Sequence, residues 1–360
     1  MTTRIIYYNQ RGEGVGIYQN KPIYIPFSIL NEEIEFEIVE EKEKYYIGKL
    51  KKLISPSINR NYNLPKNYEF IGGYELIHMN KEAEKEYKIY NLINTFKKIA
   101  NIDLKIEDIN YFQGEKELRY RNKITLFDGG LKKKKSNEIY YLDDFLLTNI
   151  KPQSTKKGKI IIRDLETRIE GHKKENLYTF DSLEDLRFKV SIGSFYQVNK
   201  EVCLYVYNKI KELIPKNKDI LDLYSGIGTI AAFISNKSQS VTAVEINDSS
   251  FKDFIYNIEL NNLKNITPVK QDVYKFLKNT QNNFFDVFVV DPDRTGLKKE
   301  VVKEISRLLP EKIIYLSCNI ATQANDINLL KENYNIEYIE IVNMFPKTFH
   351  IENLILLNKK

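Results

Sequence analysis

Cysteine is nearly absent from this chain: two among 360 residues, Cys203 and Cys318. So low a number excludes a disulfide framework, and without a CxxC pair or a paired Cys/His spacing it offers no zinc site. Tryptophan is missing, and histidine and methionine occur three times each. No uninterrupted apolar run approaches the roughly twenty residues of a membrane span. The opening MTTRIIYYNQRGEG lacks the apolar core of a secretory signal. These absences point to a soluble protein of the reducing cytoplasm, with no membrane partner.

Lys and Arg total 55 against 49 Asp and Glu, a net charge of +6, which suits a polyanionic partner without requiring one. The basic runs KLKK (49–52), KKKK (132–135), KKGK (156–159) and HKK (172–174) fall before residue 180. With 25 Tyr and 19 Phe they fit a surface that tracks a nucleic-acid backbone and stacks unpaired bases. Taken singly, each run reads as a solvated face, and the heavy use of Lys, Asn, Ile and Tyr also matches an AT-rich genome.

The length implies more than one hydrophobic core. Residues 4–54 alternate apolar and polar in short runs (IIYY, VGIY, PIYIPF, EIEFEIV, KYYIGKL), which predicts a small antiparallel barrel of about five strands. After the proline-punctuated SPSINRNYNLPKNYEF comes a helical period over 81–100, then strand patterns in ELRYRNKITLF (117–127) and KIIIRDLETRIEGH. From about residue 201, DILDLYSG, SVTAVEI, ITPVKQD, FFDVFVVDP and KIIYLSC alternate with helical segments, the pattern of a parallel, doubly wound α/β sheet. We therefore expect three domains: a barrel over 1–57, a central α+β domain over 58–185 and an α/β domain over 186–360.

Ligands of such sheets bind outside the carboxyl ends of the strands. In DLYSGIGTIAAF, Asp222 lies late in the first strand, Gly226 and Gly228 form the turn and a helix of small residues follows. Glu245, at the end of the next strand, can accept hydrogen bonds from a ribose diol, and Asp272, ending the third, can take an adenine amino group. GIGTIA also satisfies the dinucleotide fingerprint G-x-G-x-x-A. Asp222, preceding the glycines, suits the ammonium of an amino-acid moiety better than a pyrophosphate. Spacing alone favours S-adenosylmethionine and leaves a dinucleotide open.

Further motifs lie in order along the chain: YRNK (120–123), GSFYQVN (193–199), DPDRTGL (291–297), SCNIAT (317–322) and FHIE (349–352). This set closely resembles the RNA uracil-C5 methyltransferases, which make 5-methyluridine in transfer and ribosomal RNA. The resemblance implies a Rossmann-like class I methyltransferase domain that uses S-adenosylmethionine. It implies cofactor contacts from Gln197, Tyr224, Glu245, Asp272 and Asp291, a nucleophile in Cys318 and a general base in Glu352. The amino-terminal stretch resembles the OB-like TRAM domain of many ribosomal RNA members, so ribosomal RNA is favoured over transfer RNA as partner, and a monomer is expected. A noncatalytic RNA-binding or ribosome-assembly factor on the same fold is the rival from another class.

The chemistry asks for these residue types. Uracil C5 is a poor nucleophile until a thiolate has added to C6, and a base must then take the C5 proton; one cysteine and one carboxylate suffice. If the last strand runs antiparallel to its neighbours, Glu352 arrives beside Cys318. Cys203, on an apolar helical face in EVCLYVYNKI, reads as packing. The chain also departs from its relatives. Many carry an iron–sulfur site whose core reads CGGC, whereas here IGGY places Ile71 and Tyr74 at the cysteine positions; no iron–sulfur cluster is expected. Asp293 replaces a proline or small residue, and Ile320 replaces the proline after SCN.

Overall fold

A computed structural model describes all 360 residues. They group into two compact units, one of residues 1–95, 132–138 and 345–350, the other of 96–131, 139–344 and 351–360.

The first unit opens with β1 (Thr2–Arg4), β2 (Tyr7–Tyr8), β3 (Gly14–Tyr18), β4 (Lys21–Ile25), β5 (Glu33–Glu41) and β6 (Tyr46–Ser55). They form one sheet in the order β1-β5-β6-β4-β3-β2. Alternation works as expected on this sheet, with Ile5, Ile23, Ile25, Ile34, Phe36 and Tyr46 turned into a shared core. Two details differ from the expected antiparallel five: a sixth strand is present, and β4 pairs with β6 in parallel. Below the sheet Arg60 grips Glu32 in a buried fork, Nε to Oε1 at 2.7 Å and Nη2 to Oε2 at 2.5 Å. Glu32 also accepts the Ile29 and Ser57 amides, so the buried charge is fully used. Helix α1 (Lys81–Ala100) occupies the predicted span.

Ile71 and Tyr74 are 2% and 1% exposed, so apolar and aromatic side chains fill the positions where relatives place thiolates. The two cysteines stand elsewhere in the chain. The residues present therefore do not fit an iron–sulfur cluster.

In the second unit, β7 (Ile109–Phe112), β8 (Lys123–Phe127), β9 (Leu131–Lys132), β10 (Ile139–Tyr140), β11 (Lys159–Asp164), β12 (Arg168–Gly171), β13 (Tyr178–Leu183) and β14 (Leu186–Ser191) precede the α/β region. Strands β12-β11-β8 form one small sheet, β13 and β14 a hairpin. The strand expected over 117–127 begins only at Lys123. Arg119 is the reason: its φ of 58° breaks the extended run, and its guanidinium clamps both oxygens of Asp144 at 2.5 Å and the Thr148 carbonyl at 2.7 Å.

The α/β region runs α2 (Lys200–Leu213), β15 (Asp219–Leu223), α3 (Thr229–Ser235), β16 (Ser240–Glu245), α4 (Asp248–Leu260), β17 (Ile266–Lys270), α5 (Val273–Asn279), β18 (Val287–Val290), α6 (Lys299–Leu308), β19 (Lys312–Ser317), α7 (Ile320–Leu330), β20 (Tyr334–Val342) and β21 (Glu352–Lys359). Its eight-stranded sheet has the order β17-β16-β15-β18-β19-β21-β20-β7. The first five are parallel. β16, β15, β18 and β19 are buried along nearly their whole length, which explains their near-continuous apolar runs, while β17 at the edge is largely half-buried or exposed. β21 is antiparallel to both neighbours. β7, which sequence pattern did not single out, joins the far edge parallel to β20.

Candidate active site

All the residues that follow lie in the second unit. Register sets the first row of the site. Leu223 is level with Val244 on one side and Val290 on the other, so Tyr224, Glu245 and Asp291 emerge side by side where three parallel strands end. Beyond them the chain must turn sharply, and Tyr224 at φ 65° and Gly226 at φ 58° supply the turn. Glu245 Oε2 accepts the Gly226 amide at 2.8 Å and Oε1 the Asn247 amide at 2.5 Å. The carboxylate thus ties the glycine turn to the start of α4.

The two glycines have different work. A Cβ on Gly228 (φ 84°) would overlap the Phe254 ring, whereas one on Gly226 would meet nothing within 4 Å. Gly228 is required by packing, and Gly226 borders open space. Gly228→Ala is expected to destabilise the fold by on the order of 3 kcal/mol, from left-handed strain plus overpacking. Gly226→Ala should cost only about 1 kcal/mol but weaken adenosylhomocysteine binding at least tenfold, as read by thermal unfolding and calorimetry side by side.

Asp222 is fully buried, and neither carboxyl oxygen has a partner in good hydrogen-bond geometry; the Ser225 side chain and the Ala231 amide act on it only weakly. Burial, then the Asp291 charge, pushes its pKa well above the carboxylate range. A buried acid so weakly satisfied is costly unless a donor or cation completes it. Asp272 caps α5, its Oδ1 accepting the Lys275 amide at 3.1 Å, and its charge acts on the Tyr224 phenol, which burial already pushes up. Gln197 is buried in the loop before α2, where its carbonyl accepts Asn122 Nδ2 at 3.0 Å. A buried cluster of acids around an open glycine turn fits a ligand carrying both a nucleoside and positive charge, which S-adenosylmethionine does.

The second row of the site lies where β19 and β21 meet. Ser317 is paired with Asn353, so one step further the antiparallel register sets Cys318 opposite Glu352, as the expected strand direction requires. Glu352 is 2% exposed. Its carboxyl pKa is driven well up by burial, then by the Asp291 charge, with Arg294 acting in the opposite sense. The Cys318 thiol is pushed up to about 12 by burial, then by Glu352 and Asp291; the Arg294 guanidinium, in hydrogen-bonding range, draws it back. Cys318, Glu352, Asp291 and Arg294 therefore form one electrostatic group. Cys203, by contrast, is buried on α2 and raised to about 12 chiefly by burial.

Residues that sequence reasoning missed hold this row in place. Asp326, on α7, accepts the Leu297 amide at 2.9 Å and the Tyr315 hydroxyl at 2.7 Å with one oxygen. Asn319 caps α7 and donates Nδ2 to the Arg294 carbonyl at 2.8 Å. A lone Asp inside a helical period carries no local signal of such a task. The departures from the family pattern are also explained. Asp293 Oδ1 accepts the Thr295 amide at 2.8 Å and its hydroxyl at 2.5 Å, an Asx turn that does the stiffening of a proline. Ile320 is the first residue of α7, where proline is tolerated but not needed.

The buried acids give a pH-dependent stability. Burial holds the Asp291 carboxyl above its ordinary value, so the neutral form is favoured in the fold. Stability from this group is complete below the unfolded-state pKa and falls as pH rises through the folded one. Asp291→Asn removes that fall. We expect its unfolding midpoint to exceed that of the unsubstituted protein, and the gap to widen from the ordinary carboxylate range, about pH 4, up to the folded pKa of about 7 and then level off; a gap that narrows with pH would contradict the assignment.

The strand order β17-β16-β15-β18-β19-β21-β20, which is 3-2-1-4-5-7-6 when β15 is counted as the first, with acids at carboxyl ends of the parallel strands, defines a class I methyltransferase fold that uses S-adenosylmethionine. A sequence profile of the tRNA (uracil-5-)-methyltransferase family matches residues 146–360. The chain is 46% identical, over 99% of its length and 97% of the relative's, to an uncharacterized RNA methyltransferase of Mycoplasma mobile. It is 29% identical to one from Staphylococcus aureus, covering 100% of this chain and 98% of that protein. In fold it is similar to the Pyrococcus abyssi tRNA (uracil-54, C5)-methyltransferase solved with S-adenosyl-L-homocysteine: TM-score 0.78, 22% identity, 99% of this chain and 100% of the other. The chain belongs to the tRNA (uracil-5-)-methyltransferase family, the uracil-C5 RNA methyltransferases that depend on S-adenosylmethionine.

Proposed function

We propose that this protein forms 5-methyluridine by transient covalent attachment of Cys318 to uracil C6, with ribosomal RNA as the substrate. One observation carries the mechanism: a thiol and a buried carboxyl face each other across β19 and β21, at the end of the sheet where the parallel strands finish and the candidate cofactor residues lie. Asp222, Tyr224, Glu245 and Asp272, with the Gly226 turn, would hold S-adenosylmethionine, and Gln197 and Asp291 would complete the pocket. When bound, S-adenosylmethionine supplies an electrophilic methyl group for C5.

The steps assigned to the protein are these. Cys318 Sγ, as thiolate, adds to C6, and the C5–C6 electron pair moves to C5 and O4. After C5 has been methylated, the Glu352 carboxylate takes the proton that C5 still carries. The pair freed from that C–H bond restores C5–C6 and expels the thiolate. Arg294 opposes the charges that hold the Cys318 proton on and so favours the reactive form. The target base must leave its stack for C6 to reach the sulfur.

The preference for ribosomal RNA rests on the likeness of the amino-terminal strands to the TRAM domain. Transfer RNA is the second reading, supported by the fold likeness to the Pyrococcus tRNA enzyme along nearly all of the chain. Incubation of the protein with labelled S-adenosylmethionine and either unmodified RNA, followed by nucleoside mass analysis, decides. Ribosomal 5-methyluridine is the expected product. The nucleoside in transfer RNA alone supports the second reading, and its absence from both leaves a binding protein.

A further inference from the structure

One face of the β12-β11-β8 sheet carries positive charge that the steps above do not use. Register sets Lys123 opposite Arg163 and Phe127 opposite Lys159, and residues paired across antiparallel strands share a face. Arg121 and Lys173 act on the same group. The five cations are graded in depth: Lys159 and Lys173 are exposed, Arg121 and Lys123 half-buried, and Arg163 is fully buried. They come from three separate basic stretches of the sequence that only the fold assembles.

The cluster is poorly neutralised. Arg163 donates Nη2 to the Ser194 carbonyl, while Nε and Nη1 have no hydrogen-bond partner. Asp253 is the acid acting on Arg163. Its oxygens already accept the Ser191 amide at 2.8 Å, the Ser191 hydroxyl at 2.7 Å and the Ser194 hydroxyl at 2.7 Å. The Lys123 ammonium is pushed down to about 8 by burial and then by Arg163, Arg121, Lys173 and Lys159. A buried guanidinium with two unused donors, beneath a half-buried lysine repelled by its neighbours, is costly in the free protein. An anion over Lys123 offsets that cost.

We propose that this face is a binding subsite for backbone phosphodiesters of the RNA substrate, with Lys123 in contact and Arg163 as the buried charge behind it. The inference rests on the reading of this chain as an RNA methyltransferase. Five convergent positive charges exceed what one carboxylate can balance, whereas successive phosphates match them. Placement supports the role: Asn122, between Arg121 and Lys123, holds the Gln197 carbonyl at 3.0 Å. A phosphate bound here is therefore registered against the loop that carries a candidate cofactor residue.

The test titrates a fluorescein-labelled, uridine-bearing stem–loop RNA into unsubstituted protein, Lys123→Gln and Lys359→Gln at several KCl concentrations. Lys359 is exposed at the end of β21, away from the strand ends that bear Cys318. Lys123→Gln should weaken RNA binding about tenfold and lower the slope of log Kd on log salt by about one. It should leave adenosylhomocysteine affinity unchanged and the unfolding midpoint unchanged or higher, since a repelled charge has gone. Lys359→Gln should stay within about twofold throughout. Unaltered RNA affinity and slope in Lys123→Gln overturn the proposal, as does an equal loss in Lys359→Gln, which would reduce the effect to net charge. Lost adenosylhomocysteine affinity in Lys123→Gln also overturns it, because the face would then hold the cofactor's carboxylate. Unsubstituted protein that makes 5-methyluridine while Lys123→Gln binds RNA normally sinks the subsite alone; unsubstituted protein that binds no RNA sinks both readings.

Discussion

Cys318→Ala is expected to abolish 5-methyluridine formation, lowering turnover by about 10⁴-fold or more, the scale seen when a covalent nucleophile is removed, while adenosylhomocysteine should bind as before. The second half of that expectation follows from placement. The thiol sits in the row formed by β19 and β21, whereas the glycine turn and Glu245 belong to β15, β16 and the loops after them. In the proposed mechanism, loss of the sulfur would leave C6 without an attacking group and C5 without its activated electron pair. Cys318→Ser should be nearly as inactive, since a hydroxyl lacks the thiolate's nucleophilicity. Iodoacetamide gives an independent reading: Cys203 is buried, so alkylation reports Cys318. It should accelerate as pH rises, because burial and the neighbouring acids hold the thiol up near 12. Nucleoside mass analysis that finds undiminished product from Cys318→Ala would end the covalent mechanism.

Glu352→Gln should behave differently, stopping turnover after attachment and accumulating a protein–RNA adduct that survives denaturing electrophoresis. Its amide is nearly isosteric with the carboxyl but cannot take the C5 proton, so the C5–C6 bond cannot re-form and the sulfur cannot leave. The expected loss in steady-state turnover is about 10²–10⁴-fold, the usual range for a positioned general base. Burial and the Asp291 charge already push the Glu352 carboxyl well up, which suits a group that must hold a proton once it has taken it. The same substitution removes one of the charges acting on Cys318. Attachment in Glu352→Gln should thus be no slower than in the unsubstituted protein. Free RNA and normal product from this variant would show that another base does the work; no adduct and no product would place Glu352 before attachment.

Much of this architecture is legible along the chain because it is local. Short runs of four to six residues separated by helical periods identify β15 to β19, and burial on both faces leaves the pattern of β15, β16, β18 and β19 little choice. The helix over 81–100 is bounded by its own composition, acidic at the start and basic at the end. The partnership of Cys318 with Glu352, 34 positions apart, could be anticipated because an antiparallel final strand must begin where the parallel ones finish. Where an isolated side chain overrules a pattern, the reading fails: Arg119, in a left-handed conformation and clamped to Asp144, cuts off a strand that the alternation of ELRYRNKITLF would have begun earlier.

The residue types needed for uracil chemistry, the glycine turn and the acids that end each strand are written in the linear order of the chain, because strand ends are where a parallel sheet exposes side chains. Only the tertiary structure decided that Asp326 would hold the Leu297 turn, that Asp222 would be fully buried beside the Asp291 charge, and that Lys123 would face Arg163. Each depends on pairings between distant segments, and a charge acquires its environment from what is packed around it, not from its neighbours in sequence.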